Sequence, residues 1–504
     1  MLIAVTGLPG VGKTTVSEEL ARELKSEVLS TDKIRKGVLE KPGYTTKKKK
    51  RVYEEMFRMA KDYLKKEKNV ILDATFFKKE WRDKASHLGK ELDERVFFVR
   101  VNCPEKVVQK RIEKRCKSDS GYSEANFRVH KIMQKKFEPL EREHFVIDTQ
   151  IEEEWIKKSL DVANKMRIVE KQEKVIDRLQ KKYDMQTLQT HISWVMLDGQ
   201  HAFKIKKPVR FSFVDYSSLR KRKRFCEKEN EINGLLSPEL YLGVVPAKKK
   251  DASVMFNGKG KSVEYAVKMV QLSQSERMDN LIRAGKARQS HIKKIARLLA
   301  GFHAKAKEAK KKYGSTKSIR DNFSPAFEIQ STFEKYFQYG EKLETIKEEV
   351  DDFIEKNKDL FARRAEEKRV KRCHGDVRTK NIFIHKNRVF IFDAVEFSEK
   401  IASCDVGAEI AFLAMDLHMY DKKNWADDLI KYYIGFSGDQ DINRLIDFYM
   451  CYRALVESLV ETYTMTDPEV GEEKKGKSKR ACKKYLELAY AFAEKMGRQG
   501  DASQ

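Results

Sequence analysis

Cysteine is scarce and scattered: the seven stand at positions 103, 116, 226, 373, 404, 451 and 482, and no two form a C-x-x-C pair. That distribution argues against a zinc ribbon and against a disulfide framework, and it fits a reducing compartment. Only nine prolines occur in 504 residues, and there is no Pro-, Gly- or Ser-rich run of the kind that makes a flexible linker. Long hydrophobic runs are missing too, none approaching the roughly 20 residues that span a bilayer. The opening MLIAVTGLPG passes from Met1 into a strand pattern without a basic leader region. A cytoplasmic protein without a membrane partner is expected. No internal repeat is present.

What is there is length and charge. A chain of 504 residues exceeds what one hydrophobic core supports, so two or three domains are expected. The net charge of +26, from 104 Lys and Arg against 78 Asp and Glu, favours anionic partners. The clusters Lys47 to Arg51, Arg220 to Arg224 and that around Lys311 lack interleaved aromatics. They read as solvated helix faces and loops, and a nucleic-acid partner is not favoured.

Residues 1–150 alternate strand and helix patterns (LIAVTG, VLS, NVILDAT, RVFFVRVN, HFVIDT), which predicts a parallel sheet covered by helices. Residues 151–185 carry apolar positions three or four apart and predict a helical connector. From 186 to 504 the pattern changes. HISWVMLDGQHAFKIKKPV predicts two strands around an Asp-Gly turn and VEYAVKMV another, then helices dominate from about Glu276 to Lys368, with the strand pair NIFIHKNRVFIFDAVEF after them. EEKKGKSKR reads as a solvated loop and GRQGDASQ as a frayed tail.

GLPGVGKTT fits G-x-x-x-x-G-K-[ST] between a strand and a helix. Gly7, Gly10 and Gly12 let backbone N–H groups turn inward on phosphates, Lys13 reaches the β and γ phosphates of ATP, and Thr14, followed by Thr15, holds Mg²⁺. Asp32 and Arg35 in STDKIRK follow a strand end, where a carboxylate can take the proton of an attacking hydroxyl and an arginine can pin an anionic acceptor; a helix cap with an exposed arginine is the competing reading. Asp73, ending VILD, suits the magnesium water shell. Arg111 and Arg115, one turn apart in RIEKR, are either a lid over the transferring phosphate or solvated helix residues. These segments together resemble the P-loop, AAA-type small-molecule and polynucleotide kinases, including the zeta-toxin-like and gluconate-kinase-like groups. The resemblance implies ATP-dependent phosphorylation of a hydroxyl, with Asp32 in the position of the base.

HGDVRTKN, residues 374–381, has the H-x-D-x-x-x-x-N spacing of a kinase catalytic loop, giving Asp376 as base and Asn381 as a magnesium ligand; Asp393 in IFDAVEF is the second ligand. Lys204 and Lys206 alternate onto one face of a strand, and Lys204 is the expected phosphate-binding lysine. Glu229 is its expected ion-pair partner, with Glu227 the alternative. VKMVQL is the expected hinge for adenine. Asp405 and Arg453 read as a buried polar network supporting the loop, and His303 as a packed helix histidine. No G-x-G-x-x-G loop occurs in this half. The segments resemble the aminoglycoside phosphotransferase-like kinases, in particular a branch fused to a P-loop kinase domain, although there the P-loop half usually follows. The resemblance implies a bilobal protein-kinase-like α+β fold behind an α/β P-loop NTPase domain. The function expected is a bifunctional kinase for small hydroxyl compounds such as sugars; the alternatives are a nucleotide or polynucleotide kinase in the first half, or a nucleotide-sensing regulator with one inactive half.

Overall fold

The computed structural model describes residues 1–38, 45–118, 127–140, 144–210, 214–466 and 470–501, without side chains for 115–118 and 499–501. It divides into two compact units, Met1–Lys174 and Val175–Gln504. The boundary falls inside one continuous helix, Glu152–Tyr183. Its early residues Trp155, Val162 and Met166 pack in the core of the first unit, and Val175, Ile176 and Leu179 pack in that of the second.

In the first unit five strands, β1 (Leu2–Thr6), β2 (Ser26–Ser30), β3 (Asn69–Asp73), β4 (Val96–Asn102) and β5 (Phe145–Asp148), form a parallel sheet in the order β2-β3-β1-β4-β5. Every residue of β1 is buried, as expected for a central parallel strand covered on both faces. Ile3, Val5, Val99 and Ile147 face Val16 and Leu20 on one side, and Leu2, Ala4, Val70 and Leu72 face Val52, Met56 and Trp81 on the other. The carboxyl ends of β1, β2 and β3 therefore converge on one edge, the place where open α/β sheets bind ligands.

The second unit begins with an antiparallel sheet of β6 (Gln186–Gln189), β7 (Ser193–Leu197), β8 (His201–Lys206), β9 (Tyr241–Lys250), β10 (Ser253–Phe256) and β11 (Lys261–Val270), in the order β10-β9-β11-β8-β7-β6. The helix Leu219–Leu236 belongs to this part and buries Cys226, Glu229, Ile232 and Asn233. A helical body follows, centred on Val406–Met419, in which Val406 through His418 are all buried. Two short ribbons lie in this part of the chain: β12 (Val370–Arg372) pairs with β15 (Ser403–Asp405), and β13 (Ile382–His385) with β14 (Arg388–Ile391).

The tail departs from expectation. EEKKGKSKR is helical, the start of Glu472–Asp501, and not a loop. Glu472 pairs with Lys475 at 3.1 Å and Glu473 with Lys477 at 2.7 Å along the exposed side, while Cys482, Leu486, Ala489 and Phe492 join the core. Charge density hid an amphipathic helix whose apolar stripe begins only after the charged run. The same helix runs through Gly497 to Asp501, and residues 502–504 of GRQGDASQ lie outside the described residues.

Candidate active sites

β1 ends at Thr6 and the chain turns through Gly7, Gly10 and Gly12, all with positive φ, before the helix Lys13–Leu24. Gly12 caps that helix at φ 89°, ψ 24°. At Gly7 a Cβ would meet the Val101 carbonyl oxygen at 2.6 Å, so only glycine lets the loop lie against β4. Thr14 Oγ1 donates to Asp73 Oδ2 at 2.7 Å, joining the loop to the end of β3. Lys13 Nζ donates back to the Leu8 carbonyl at 3.0 Å. Burial raises the Asp73 carboxyl above the usual range, opposed by Lys13 and by the Thr14 hydroxyl.

These groups line a cavity of about 280 Å³, together with Gly10, Gly12, Thr15, Asp32, Arg35, Lys49, Tyr53 and Arg111. Asp32 is bonded to Arg35 at 2.5 Å, so the expected base and the expected acceptor clamp hold one another. Both stand in a helix, Thr31–Val38, where Asp32 occupies the first turn. Arg111 reaches the cavity, but its guanidinium donates to the Thr149 hydroxyl at 2.9 Å and the Thr149 carbonyl at 2.6 Å. It is tethered just past the end of β5 beside Gly12 rather than projecting from a solvated helix face. The Arg115 side chain lies outside the described residues. Lys49, from the KKKKR cluster, was not expected at the site. Burial depresses its ammonium, and Arg35, Lys136 and Lys78 depress it further.

In the second unit the alternation of β8 brings Lys204 and Lys206 to one carboxylate: Lys204 Nζ lies 2.8 Å from Glu229 Oε1 and Lys206 Nζ 2.7 Å from Glu229 Oε2. Glu227 is excluded as the partner, because it is exposed and faces Lys223 at 3.4 Å. Lys204 also hydrogen-bonds Asp393, and Lys206 hydrogen-bonds Glu396, which accepts from Tyr216 as well. Burial alone would raise Glu229, yet the two ammoniums outweigh it and hold the carboxyl below its ordinary range. Burial would likewise lower both lysines, and the surrounding carboxylates keep them well above. Glu396 and Tyr216 were missed by sequence reading, although Glu396 stands only three residues past Asp393.

The octapeptide forms the other wall. Asn381 Nδ2 donates to the Asp376 carbonyl at 2.8 Å and to Asp376 Oδ2 at 2.9 Å, so the expected base and an expected magnesium ligand meet. Phe392 N donates to the Asn381 carbonyl at 3.1 Å and Val395 N to the His374 carbonyl at 2.8 Å, which places the segment carrying Asp393 against the loop. Asp393 itself sits at φ 67°. Arg378, within the octapeptide yet not singled out from sequence, approaches Asp376 at 2.7 Å and Glu457 at 2.5 Å. Glu409 accepts from the backbone N–H of His374 at 3.2 Å and Gly375 at 2.6 Å and from His303 at 2.8 Å. Burial of Glu409 is outweighed by His303, and its carboxyl falls to about 2. His303 is thus buried as expected, but it braces the carboxylate that holds the loop. Asp405 caps the helix Val406–Met419 and binds Arg364 through both oxygens at 2.7 Å.

The β7–β8 turn and the stretch expected as the adenine hinge complete this part of the site. The β7–β8 turn closes on itself: Asp198 Oδ1 accepts from Gln200 N at 2.8 Å and His201 N at 2.6 Å, and Gly199 N donates to Gln271. Val267 through Val270 are committed to the ladder with β8, and Gln271 N donates to the Gln200 carbonyl. The stretch chosen as a hinge is therefore mostly strand interior.

Residues 2–140 match the family model described as an AAA domain. With the five-stranded parallel sheet and the glycine loop, the first unit is a P-loop nucleotide-binding domain. An uncharacterized protein of Mycobacterium tuberculosis and one of Mycobacterium bovis are each 31% identical over 276 residues, 54% of this chain. The chain spans about half the length, 54%, of these curated relatives. Among solved structures, a gluconokinase from Sinorhizobium meliloti is 17% identical, covering 34% of this chain and 94% of its own, with a TM-score of 0.27. The APS kinase CysC of Mycobacterium tuberculosis, solved with AMPPNP and APS, is 16% identical over 32% of this chain and 94% of its own, also with a TM-score of 0.27. No helix among the described residues is long and apolar enough to cross a membrane.

Proposed function

We propose that the chain is a bifunctional ATP-dependent kinase, each half moving the γ-phosphoryl group of ATP to a hydroxyl of a small molecule. The observation that carries the reading is the second polar cluster, in which Lys204, Glu229 and Asp393 meet beside the Asp376–Asn381 pair in a unit that lacks the P-loop. Such transfer needs positioning and charge neutralisation more than covalent chemistry. The sheet of β6–β11 followed by the helical body supports a bilobal kinase-like domain over 186–504, after a P-loop domain over 1–150 and a connector over 151–185.

The residues fit magnesium in both halves, since each offers hard oxygen donors within one cluster. Thr14 and Asp73 would hold it in the first, and Asn381 and Asp393 in the second, where the Asn381 amide nitrogen is spent on Asp376 and its oxygen is the atom left for a cation. Bound Mg²⁺ would neutralise charge on the β and γ phosphates. Lys13 and Lys204 would bind phosphate oxygens, each exchanging a present partner for ATP. Asp32 and Asp376 would receive the hydroxyl proton of their acceptors. Arg35 and Arg378, paired with those carboxylates, orient them.

A second reading has one specific support. Arg35 and Lys49 line the first cavity and Lys78 and Lys136 lie near enough to depress Lys49, so the first acceptor would carry negative charge, as a nucleotide or 5′-hydroxyl oligonucleotide does. Incubating the full chain with ATP and a metabolite extract, followed by mass spectrometry, tests both. Asp32→Ala and Asp376→Ala should each delete a different set of phosphorylated products. A product set untouched by either substitution sinks the proposal. Phosphorylated oligonucleotides, with binding that falls steeply with salt, would select the second reading for the first half.

A further inference from the structure

A separate cavity of about 760 Å³ lies in the helical body, within the size range of small-molecule sites. None of Lys204, Glu229, Asp376, Asn381 and Asp393 lines it. Its walls are aromatic, with Phe323, Phe448, Tyr449 and Tyr452 packed ring against ring. Into this apolar surround the helix Ile442–Thr466 delivers Arg453, which is 5% exposed.

Arg453 is a buried cation with most of its donors uncommitted. Nε donates to the Ala408 carbonyl at 3.4 Å, and the guanidinium stacks on Phe412 at 4.5 Å and Tyr452 at 5.2 Å. Neither terminal nitrogen has a hydrogen-bond or ion-pair partner among the described residues, nor is either sealed away as a buried orphan atom. The two acidic residues on the lining do not complete it. Asp405 is bound through both oxygens to Arg364, and Asp321 is exposed. A buried guanidinium is normally matched by a carboxylate or phosphate in a bidentate pair, and its planar fork selects that shape. Stacking rings beside it favour a flat apolar body on the same ligand.

We propose that this cavity binds a small aromatic oxyanion, a carboxylate or phosphomonoester attached to a ring, with the oxyanion on the Arg453 terminal nitrogens and the ring lying against the aromatic wall to which Phe323 and Tyr452 belong. The site is independent of the phosphoryl-transfer reading, because it requires binding and no turnover.

Calorimetric titration of the full chain with phenyl phosphate, in the presence of saturating AMPPNP to fill both nucleotide sites, tests it. Saturable binding is expected, weakened by roughly tenfold or more when phenol or benzylamine replaces the probe. Arg453→Met should weaken it to a similar degree. Ile401→Trp, at a lining position that is 42% exposed, should block entry without touching the core. The proposal is overturned if phenyl phosphate shows no saturable binding at millimolar concentration, if benzylamine binds as tightly, or if Ile401→Trp leaves binding intact.

Discussion

Replacing Glu229 by Gln removes one negative charge from a site with no exposure at all, where it faces two ammoniums at 2.7 and 2.8 Å. The amide keeps the volume, so no cavity opens, and the loss is electrostatic. Lys206 keeps Glu396 and Lys204 keeps Asp393, but each loses its second partner in a setting from which water is excluded. Removing one member of a buried ion pair costs about 3–5 kcal/mol, because the charge left behind stays desolvated. At roughly 2 °C per kcal/mol for a unit of this size, the calorimetric midpoint of the second unit should fall by about 6–10 °C. Glu227→Gln is the matched control. That residue is 53% exposed and its pair with Lys223 spans 3.4 Å, so the midpoint should stay within about 1 °C. The charge argument also has a pH signature. The folded Glu229 carboxyl lies below its unfolded value, so its contribution is present above the unfolded pKa and is lost as pH falls through the folded one. The Gln variant should lack that acid-side loss. Equal midpoints for Glu229→Gln and wild type at neutral pH would show that the Glu229 charge does not hold the two lysines.

Glu457 has the opposite linkage: burial pushes its carboxyl up to about 7, against the pull of Arg378, so its contribution is present below the unfolded pKa and is lost as pH rises through 7. Glu457→Gln should flatten the decline of the midpoint between about pH 4.5 and 7, a span worth on the order of 3 kcal/mol; an unchanged slope would contradict it. Glu409→Gln should loosen residues 374–376, seen as faster amide hydrogen exchange there, and, on the proposed function, should lower phosphoryl transfer by the second half while leaving ATP affinity within about twofold. Slow exchange unchanged in that variant would show that the loop is held by other contacts. Gly12→Ala forces a side chain to φ 89° at the first turn of the phosphate helix, at a cost of about 1–2 kcal/mol, and should weaken nucleotide binding to the first unit, read by fluorescence titration of a labelled ATP analogue.

Much of the first unit was legible. Its strands are short apolar runs ended by glycine or a polar residue, and its phosphate loop is contiguous, so local pattern and chemistry coincide in GLPGVGKTT. The second unit was legible where its chemistry is also contiguous, as in HGDVRTKN, or alternates along one strand, as in Lys204 and Lys206. β6, β9 and β10 were not singled out, because edge strands and lysine-rich strands such as YLGVVPAKKK carry little periodic apolar signal. The helix at Glu472 was hidden for the same reason.

The order of residues sets the kinds of atoms available: which glycines can bend a loop, which carboxylates end strands, and how two lysines share a face. The pairings come from the folded chain. That Glu229 rather than Glu227 meets Lys204, that Thr149 tethers Arg111, that His303 braces Glu409 and that Arg453 faces an open cavity all depend on residues 25 to more than 100 positions apart. Ion pairs and hydrogen bonds act over a few ångströms, and only the folded chain sets which groups come that close.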